Sequence, residues 1–255
     1  MSGILFNVVG RVATITLDNP GKLNALTPDM LLELCRLCDE IEMDGNILCV
    51  LLAAAGDRFF CAGADINAWA DNPPQEFARY WVRSGHRVFD RIARMGKPTI
   101  AVLSGNAFGG GLELAACCDI RVMAPDALIA LPETSVGIVP GWSGTQRLAR
   151  LLPEPVIKEM ALFGRRISAE RALALGFVAE VSADTRRAAE NIAEMLINTA
   201  PLAAEVAKYM IHAGVGEDTS AMIEALGSGM IAASADKQEG VAAFRAKRKP
   251  VFTGE

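Results

Sequence analysis

Two glutamates in an otherwise apolar stretch are the residues of this chain best suited to proton transfer. Glu113 ends the run Ser104–Glu113, which contains three successive glycines, and Glu133 follows a proline in Leu131–Gly141. Carboxyl groups in apolar surroundings are partly desolvated, which raises their pKa toward the range where one group can both donate and accept a proton. Together, the two residues could serve acid–base catalysis.

Backbone amides beside the glutamates add a second kind of chemistry. The glycines leave N–H groups uncovered at a predicted helix start, and Ala64 offers another open amide in the run Phe59–Ile66. Two amides from separate loops can form an oxyanion hole. Each feature alone also has a structural explanation, because glycines serve tight turns and a glutamate can favour a helix dipole or lie solvated in a loop.

Hydrophobic periodicity predicts the elements that position these groups. We expect strands at 4–9, 12–17, 47–53, 99–103, 120–124 and 128–131, and a short one at 177–181. Helices are expected from Thr27 to Met43, at 75–94, after Ser168, and from Pro201, Glu217 and Asp236. Residues 59–66 and 104–108 are predicted to be loops, and 128–131 the partner of 120–124. The alternating order predicts an α/β core with βαβ crossovers and a boundary near 195–200.

Composition excludes several classes of function. The 255-residue chain has a net charge of −5 and an estimated pI of 5.3, so it lacks a general electrostatic footprint for nucleic acid or an anionic membrane. No stretch approaches the ~18 apolar residues of a membrane span, and the N-terminus lacks a basic segment followed by a long apolar one, so we expect a cytoplasmic protein. The cysteines are expected to be buried thiols, and Cys35-Arg-Leu-Cys38 lacks a second pair, so no metal site is predicted.

Several motifs, in order and spanning nearly the whole chain, resemble the crotonase (enoyl-CoA hydratase/isomerase) superfamily. They are Asn19–Leu26, Cys61–Ile66, Gly105–Glu113, Ala116–Asp119, Pro132–Glu133, Gly144–Arg147, Gly164–Ala169 and Glu239–Lys249. The resemblance implies a crotonase-like spiral of ββα repeats over 1–197, carrying the CoA and acyl sites. It further implies a helical trimerisation region over 198–255, assembly as a homotrimer or a dimer of trimers, and no cofactor, because coenzyme A is part of the substrate.

The resemblance also implies a role for each candidate site residue. The amides of Ala64 and Gly110 would bind the thioester oxygen, Glu113 would take a proton from water, and protonated Glu133 would deliver one to the α-carbon of a trans-2-enoyl-CoA. Further substrate or CoA contacts would come from Lys22, Asp65, Ile66, Gly109, Pro132, Gly141, Trp142 and Lys247. Lys247 belongs to a basic cluster that could equally be a solvated helix end.

Alternatives remain at this point. A double-bond isomerase could use Glu133 to shuttle a proton, whereas a non-catalytic acyl-CoA- or RNA-binding relative is disfavoured by both glutamates and the acidic pI. Trp142 departs from the small residues of many hydratases and could be a surface or interface residue or could narrow the acyl pocket. The aromatic residues of the 75–94 segment could be core or pocket lining. His86 has no evident partner in the sequence, so no catalytic triad is predicted.

Overall fold

The computed structural model describes residues 3–216, 235–251 and 253, and it divides into two compact units, Met1–Pro201 and Leu202–Glu255. The strands are β1 Ile4–Val9, β2 Val12–Leu17, β3 Cys49–Ala54, β4 Phe59–Cys61, β5 Thr99–Leu103, β6 Asn106–Phe108, β7 Ile120–Met123, β8 Leu128–Ala130, β9 Ile167–Ser168 and β10 Glu180–Val181. The helices are α1 Pro28–Met43, α2 Pro74–Glu76, α3 Arg83–Ala93, α4 Gly110–Ala115, α5 Gly144–Leu151, α6 Glu154–Phe163, α7 Ala169–Ala174, α8 Thr185–Met195, α9 Pro201–Gly214 and α10 Ala235–Arg245. A π-helix (Phe77–Val82) and short 3₁₀ turns, among them Glu133–Val136, complete the described elements.

The larger sheet has the strand order β1-β2-β3-β5-β7-β10. Its first pair is an antiparallel hairpin, and the remaining pairs are parallel. Every residue of β5 and nearly all of β3 are buried, because one core cluster lies on each face of the sheet. Continuous apolar runs are what a strand covered on both faces requires, so the predicted α/β core with crossovers is confirmed.

The smaller sheet, of order β4-β6-β8-β9, shows where sequence interpretation was wrong. The stretches that form β4 and β6 were predicted to be loops, and β8 was predicted to pair with β7. Instead, β4 pairs with β6 and β6 with β8, all parallel. Strands of three residues are too short to show a period, and the neighbouring glycines suggested turns. This sheet brings the ends of β4 and β6 side by side.

Local signals explain most helix boundaries. The Thr27 side chain accepts a hydrogen bond from the Met30 amide at 3.3 Å and so caps α1, and Ser168 caps α7 in the same way. The predicted 75–94 helix is interrupted by the π-helix Phe77–Val82, and the strand predicted at 177–181 is shortened to β10. As expected from the sequence, a helix begins at Pro201 (α9), and α10 begins at Ala235, one residue before the expected Asp236. The helix expected from Glu217 lies outside the described residues.

Two further properties concern only the described part of the chain. None of its helices is long and apolar enough to cross a membrane. It also contains no group of three or more His, Cys, Asp or Glu side chains that could hold a metal ion. The cysteines carry free thiols, and burial raises the pKa of Cys38 and of Cys61 to about 12, so these thiols are protonated and structural.

Candidate active site

The first functional element is the N-terminus of α4, which follows β6. Gly110 is the first residue of the helix, so its N–H has no acceptor within the helix and points outward with the positive end of the helix dipole. Gly109, just before it, has a φ of +53° and a ψ of −127°, which only glycine adopts readily. A Cβ on Gly109 would lie 2.9 Å from Glu133 Oε1, so this position also needs a glycine for close approach.

A second open amide comes from the loop after β4. Leu26 donates to the Gly63 carbonyl at 2.8 Å and accepts from the Asp65 amide at 2.9 Å, which forms a parallel bridge around Ala64. In such a bridge the N–H of the central residue points away from the partner strand. A Cβ on Gly63 would lie 3.2 Å from the Gly110 nitrogen, so the two loops are in contact. The amides of Ala64 and Gly110 therefore border the same space.

Glu113 lies one helical turn after Gly110, and its side chain is buried, with 2% of the residue exposed. Its Oε1 accepts hydrogen bonds from the backbone amides of Trp142 at 2.8 Å and Gly144 at 2.7 Å. Burial raises the pKa of Glu113, while these amides and the positive charge of Arg147 oppose the rise. The amides hold one oxygen of the carboxylate and fix the direction of the other.

Glu133 has a different environment. It begins a short 3₁₀ turn, is 7% exposed, and its Oε2 has no hydrogen-bond partner among the described residues. Burial raises the pKa of Glu133 to about 7, and the negative charge of Glu113 adds to the rise. Burial thus raises the pKa of both carboxyl groups. Amide donors from the 142–144 turn oppose the rise at Glu113, whereas at Glu133 the backbone amide of Glu133 itself opposes it and Oε2 has no partner among the described residues. A difference of this kind between the donors around two carboxyl groups is one way in which a base is separated from an acid.

A cavity of about 640 Å³ connects these groups. It is lined by most of the site residues expected from the sequence, namely Ala64, Ile66, Gly109, Gly110, Glu113, Pro132, Glu133, Gly141 and Trp142. Lys22 and Asp65 lie outside this lining and form an ion pair at 2.8 Å, which lowers the pKa of Asp65. Lys247 lies in the second unit, just after α10. The volume is in the range of small-molecule sites.

Comparison with known proteins decides the family. Residues 8–255 match the family described as Enoyl-CoA hydratase/isomerase. The chain belongs to the enoyl-CoA hydratase/isomerase family. It is 35% identical to a short-chain-enoyl-CoA hydratase of Clostridium acetobutylicum, over 98% of this chain and 97% of that protein, and 38% identical to a putative enoyl-CoA hydratase/isomerase, YngF, of Bacillus subtilis, over 98% of each. The solved structure of an enoyl-CoA hydratase from Bacillus anthracis is 33% identical, with a TM-score of 0.81, over 99% of this chain and 100% of that one.

Membership of this enoyl-CoA hydratase/isomerase family confirms the crotonase-like α/β fold expected from the motifs. Trp142, whose role the sequence left open, is 3% exposed and lies in the wall of the cavity. Its ring packs against Trp81 at 5.2 Å and Phe89 at 5.1 Å between centroids. A Cβ on Gly85 would lie 2.0 Å from the indole nitrogen, so α3 has a glycine where the indole crosses it. Burial within the chain rules out the surface alternative for this side chain.

The structure also pairs two residues that sequence interpretation did not bring together. His86 Nδ1 lies 2.5 Å from Ser143 Oγ, and both residues line the cavity. The two are 57 positions apart and lie on different elements, so no local pattern could have revealed their contact. The aromatic residues of the 75–94 segment include both core and pocket-lining residues. Phe89 is fully buried, whereas Phe77 and Trp81 line the cavity.

The environment of Glu133 predicts that replacing this residue stabilises the folded protein to an extent that depends on pH. The pKa of Glu133 is raised from 4.5 to about 7, so the folded state loses stability as pH rises from about 4.5, where the unfolded chain releases this proton, to about 7. Above about pH 7 the loss is complete, at about 3 kcal/mol. Glu133→Gln removes that ionisation. We expect the variant to melt several degrees above wild type near about pH 8 and close to wild type near about pH 4.5. Calorimetry across pH measures this difference, and a constant offset at all pH values would contradict it.

Proposed function

We propose that the protein is an enoyl-CoA hydratase that adds water across the 2,3 double bond of a trans-2-enoyl-CoA. The observation that carries the proposal is the pair of buried carboxyl groups, Glu113 and Glu133, which line one cavity and differ in their hydrogen-bond donors. The open amides of Ala64 and Gly110 support it, because they offer two donors to the oxygen of an enolate. Relatives named as hydratases, such as the Clostridium acetobutylicum protein, support it further.

In this mechanism each group has one task. The thioester oxygen accepts hydrogen bonds from the amides of Ala64 and Gly110, which draws electrons from the double bond. The carboxylate of Glu113 takes a proton from water as the water oxygen bonds to the β-carbon, and negative charge moves to the thioester oxygen. Protonated Glu133 then gives its proton to the α-carbon. Proton exchange with solvent returns both carboxyl groups to their starting states.

A spectroscopic assay separates this proposal from its alternatives. Loss of the conjugated enoyl absorbance of crotonyl-CoA, with formation of 3-hydroxybutyryl-CoA, supports hydration. Inertness toward crotonyl-CoA with turnover of a 3-enoyl-CoA would instead identify a double-bond isomerase, in which Glu133 alone shuttles the proton. Tight binding of CoA thioesters with no turnover of either substrate would identify a non-catalytic relative.

The remaining expectations about the substrate belong to the same proposal. We place the nucleotide end of coenzyme A near Lys22 and the backbone of Ala64 to Ile66, where the Lys22–Asp65 pair orders the loop. Lys247 would reach CoA phosphates from a neighbouring subunit of a trimer or a dimer of trimers. Exposed apolar side chains on α9, such as Leu202 and Ile211, support assembly through the C-terminal unit. Analytical ultracentrifugation tests the oligomer directly.

Acyl-chain selectivity should depend on Trp142, because its indole fills the space between Gly110 and α3. Trp142→Phe removes part of that volume while keeping an aromatic ring against Trp81. We expect the ratio of kcat/KM for longer over shorter enoyl-CoA substrates to rise about 10-fold. A series of straight-chain thioesters measures the ratio. An equal loss for every chain length would mean that the indole supports Gly110 without limiting the acyl group.

A further inference from the structure

The backbone of Ser143 has an unusual conformation for a residue with a side chain. Its φ of +72° and ψ of +11° are left-handed, a region that favours glycine. Ser143 also occupies the N-cap position of α5, where a serine side chain normally accepts from the helix, yet among the described residues no such bond is formed. The hydroxyl instead contacts His86 Nδ1 at 2.5 Å.

This conformation is what allows the turn to bind Glu113. The amides on either side of Ser143, those of Trp142 and Gly144, both donate to Glu113 Oε1. Nearby N–H groups converge on one anion when the backbone passes through a left-handed residue, which creates a concave nest. If Ser143 relaxed to an extended or right-handed conformation, the two amides would diverge. The two hydrogen bonds to Glu113 Oε1 therefore depend on the left-handed φ of Ser143.

We propose that His86 is a positioning residue for Glu113, acting through its hydrogen bond to Ser143, which holds the 142–144 turn in the nest conformation. Helix α3 contacts this turn at two points. Gly85 packs against the Trp142 indole, and His86 is hydrogen-bonded to the Ser143 hydroxyl. The catalytic role of Glu113 rests on the proposed hydratase function, whereas the hydrogen bonds from the Trp142 and Gly144 amides to Glu113 do not.

Other charged groups also act on Glu113 and must be kept constant in a test. They are Glu133 from the 3₁₀ turn, Arg147 from α5 and, as the ion-pair partner of Arg147, Asp90 from α3. The Cys117 thiol contacts the Glu113 carbonyl at 3.2 Å, and burial keeps it protonated by raising its pKa. None of these residues changes in the variants below.

Substitutions at Ser143 provide the sharpest test. Ser143→Ala removes the hydroxyl and keeps the Cβ that disfavours a left-handed φ, whereas Ser143→Gly removes the hydroxyl and adopts this φ without a steric cost. We expect Ser143→Ala and His86→Ala each to lower kcat about 10-fold with little change in KM, and Ser143→Gly to stay within about threefold of wild type. His86→Asn, whose amide can occupy the position of Nδ1, should recover most of the activity.

Two readouts distinguish positioning from other roles. Losing the amides raises the pKa of Glu113 further, so the acid limb of kcat/KM should move to higher pH in Ser143→Ala and His86→Ala but not in Ser143→Gly. Equal losses in Ser143→Ala and Ser143→Gly, or an unmoved acid limb, would overturn the proposal, because the hydroxyl would then act on the substrate or on packing.

A measurement without turnover separates failure of this proposal from failure of the proposed function. Carboxyl ¹³C NMR of glutamate-labelled protein, assigned with Glu113→Gln, follows the titration of Glu113 directly. A higher Glu113 pKa in His86→Ala and Ser143→Ala, with a wild-type value in Ser143→Gly, supports the positioning role even if crotonyl-CoA is not hydrated. Identical Glu113 titrations in all four proteins would reject it.

Discussion

Glu133→Gln is expected to lower kcat for enoyl-CoA hydration by about 10²- to 10⁴-fold while the thioester still binds. The amide has the shape of the carboxyl and removes the proton that Glu133 would give to the α-carbon. That proton transfer occurs in the transition state and not in the bound ground state, so KM should change little. Stopped-flow turnover of crotonyl-CoA and direct titration with a saturated acyl-CoA measure the two effects separately.

Glu113→Gln should cause a loss of similar size for a different reason. Its Oε1 can still accept from the Trp142 and Gly144 amides, so the turn is kept, but the residue can no longer take a proton from water. The pH profiles should then differ. Glu113→Gln removes the acid limb of the residual rate, whereas Glu133→Gln removes the limb that falls as pH rises through about 7.

Glu154→Gln is a matched control for both variants. Glu154 is an exposed glutamate at the start of α6, paired with Lys158, so its replacement tests only the loss of a carboxyl charge. We expect wild-type turnover from this variant. If Glu113→Gln or Glu133→Gln kept turnover within a few fold of it, the two-carboxyl mechanism would be wrong.

The sequence predicted the parts of the fold that have a period or a recognised cap. Buried runs such as Thr99–Leu103 became central strands with the expected bounds, and Thr27 with Pro28 located the start of α1. The second sheet was missed because β4 and β6 are held by pairing between distant segments rather than by their own composition. Pairing of that kind leaves no local signal in three residues.

The site shows a similar division. Glycines and glutamates at spaced positions pointed to Gly110, Glu113 and Glu133, and these residues share one cavity. The difference between the environments of the two glutamates could not be predicted, because the amide donors to Glu113 come from a turn some 30 residues away. The contact between His86 and Ser143 likewise depends on α3 packing against that turn. Local sequence therefore supplies the reactive groups, and long-range packing sets their protonation.

Gly144→Ala is expected to reduce kcat/KM by at least about 100-fold, because the new methyl group would occupy the place of the Glu113 side chain. A Cβ at this position lies 2.3 Å from Glu113 Cγ and 2.6 Å from Oε1, distances that Cβ contacts do not show. Either Glu113 or the turn must move. A displacement of about 1 Å at a catalytic group can cost about two orders of magnitude in rate.

The matched control for this substitution is Gly45→Ala, where an added Cβ meets nothing within 4 Å. Both substitutions add one methyl group. A difference in activity between the two variants is therefore due to where the methyl group is placed. Since Gly144 begins α5, a melting curve must first show that Gly144→Ala is folded. If the folded Gly144→Ala variant were as active as Gly45→Ala, catalysis would not depend on the position of the Glu113 carboxylate. The hydrogen bonds from the two amides to its Oε1 would then have no catalytic role. A loss in kcat that leaves binding of a saturated acyl-CoA unchanged would instead tie catalysis to the position of that single carboxylate.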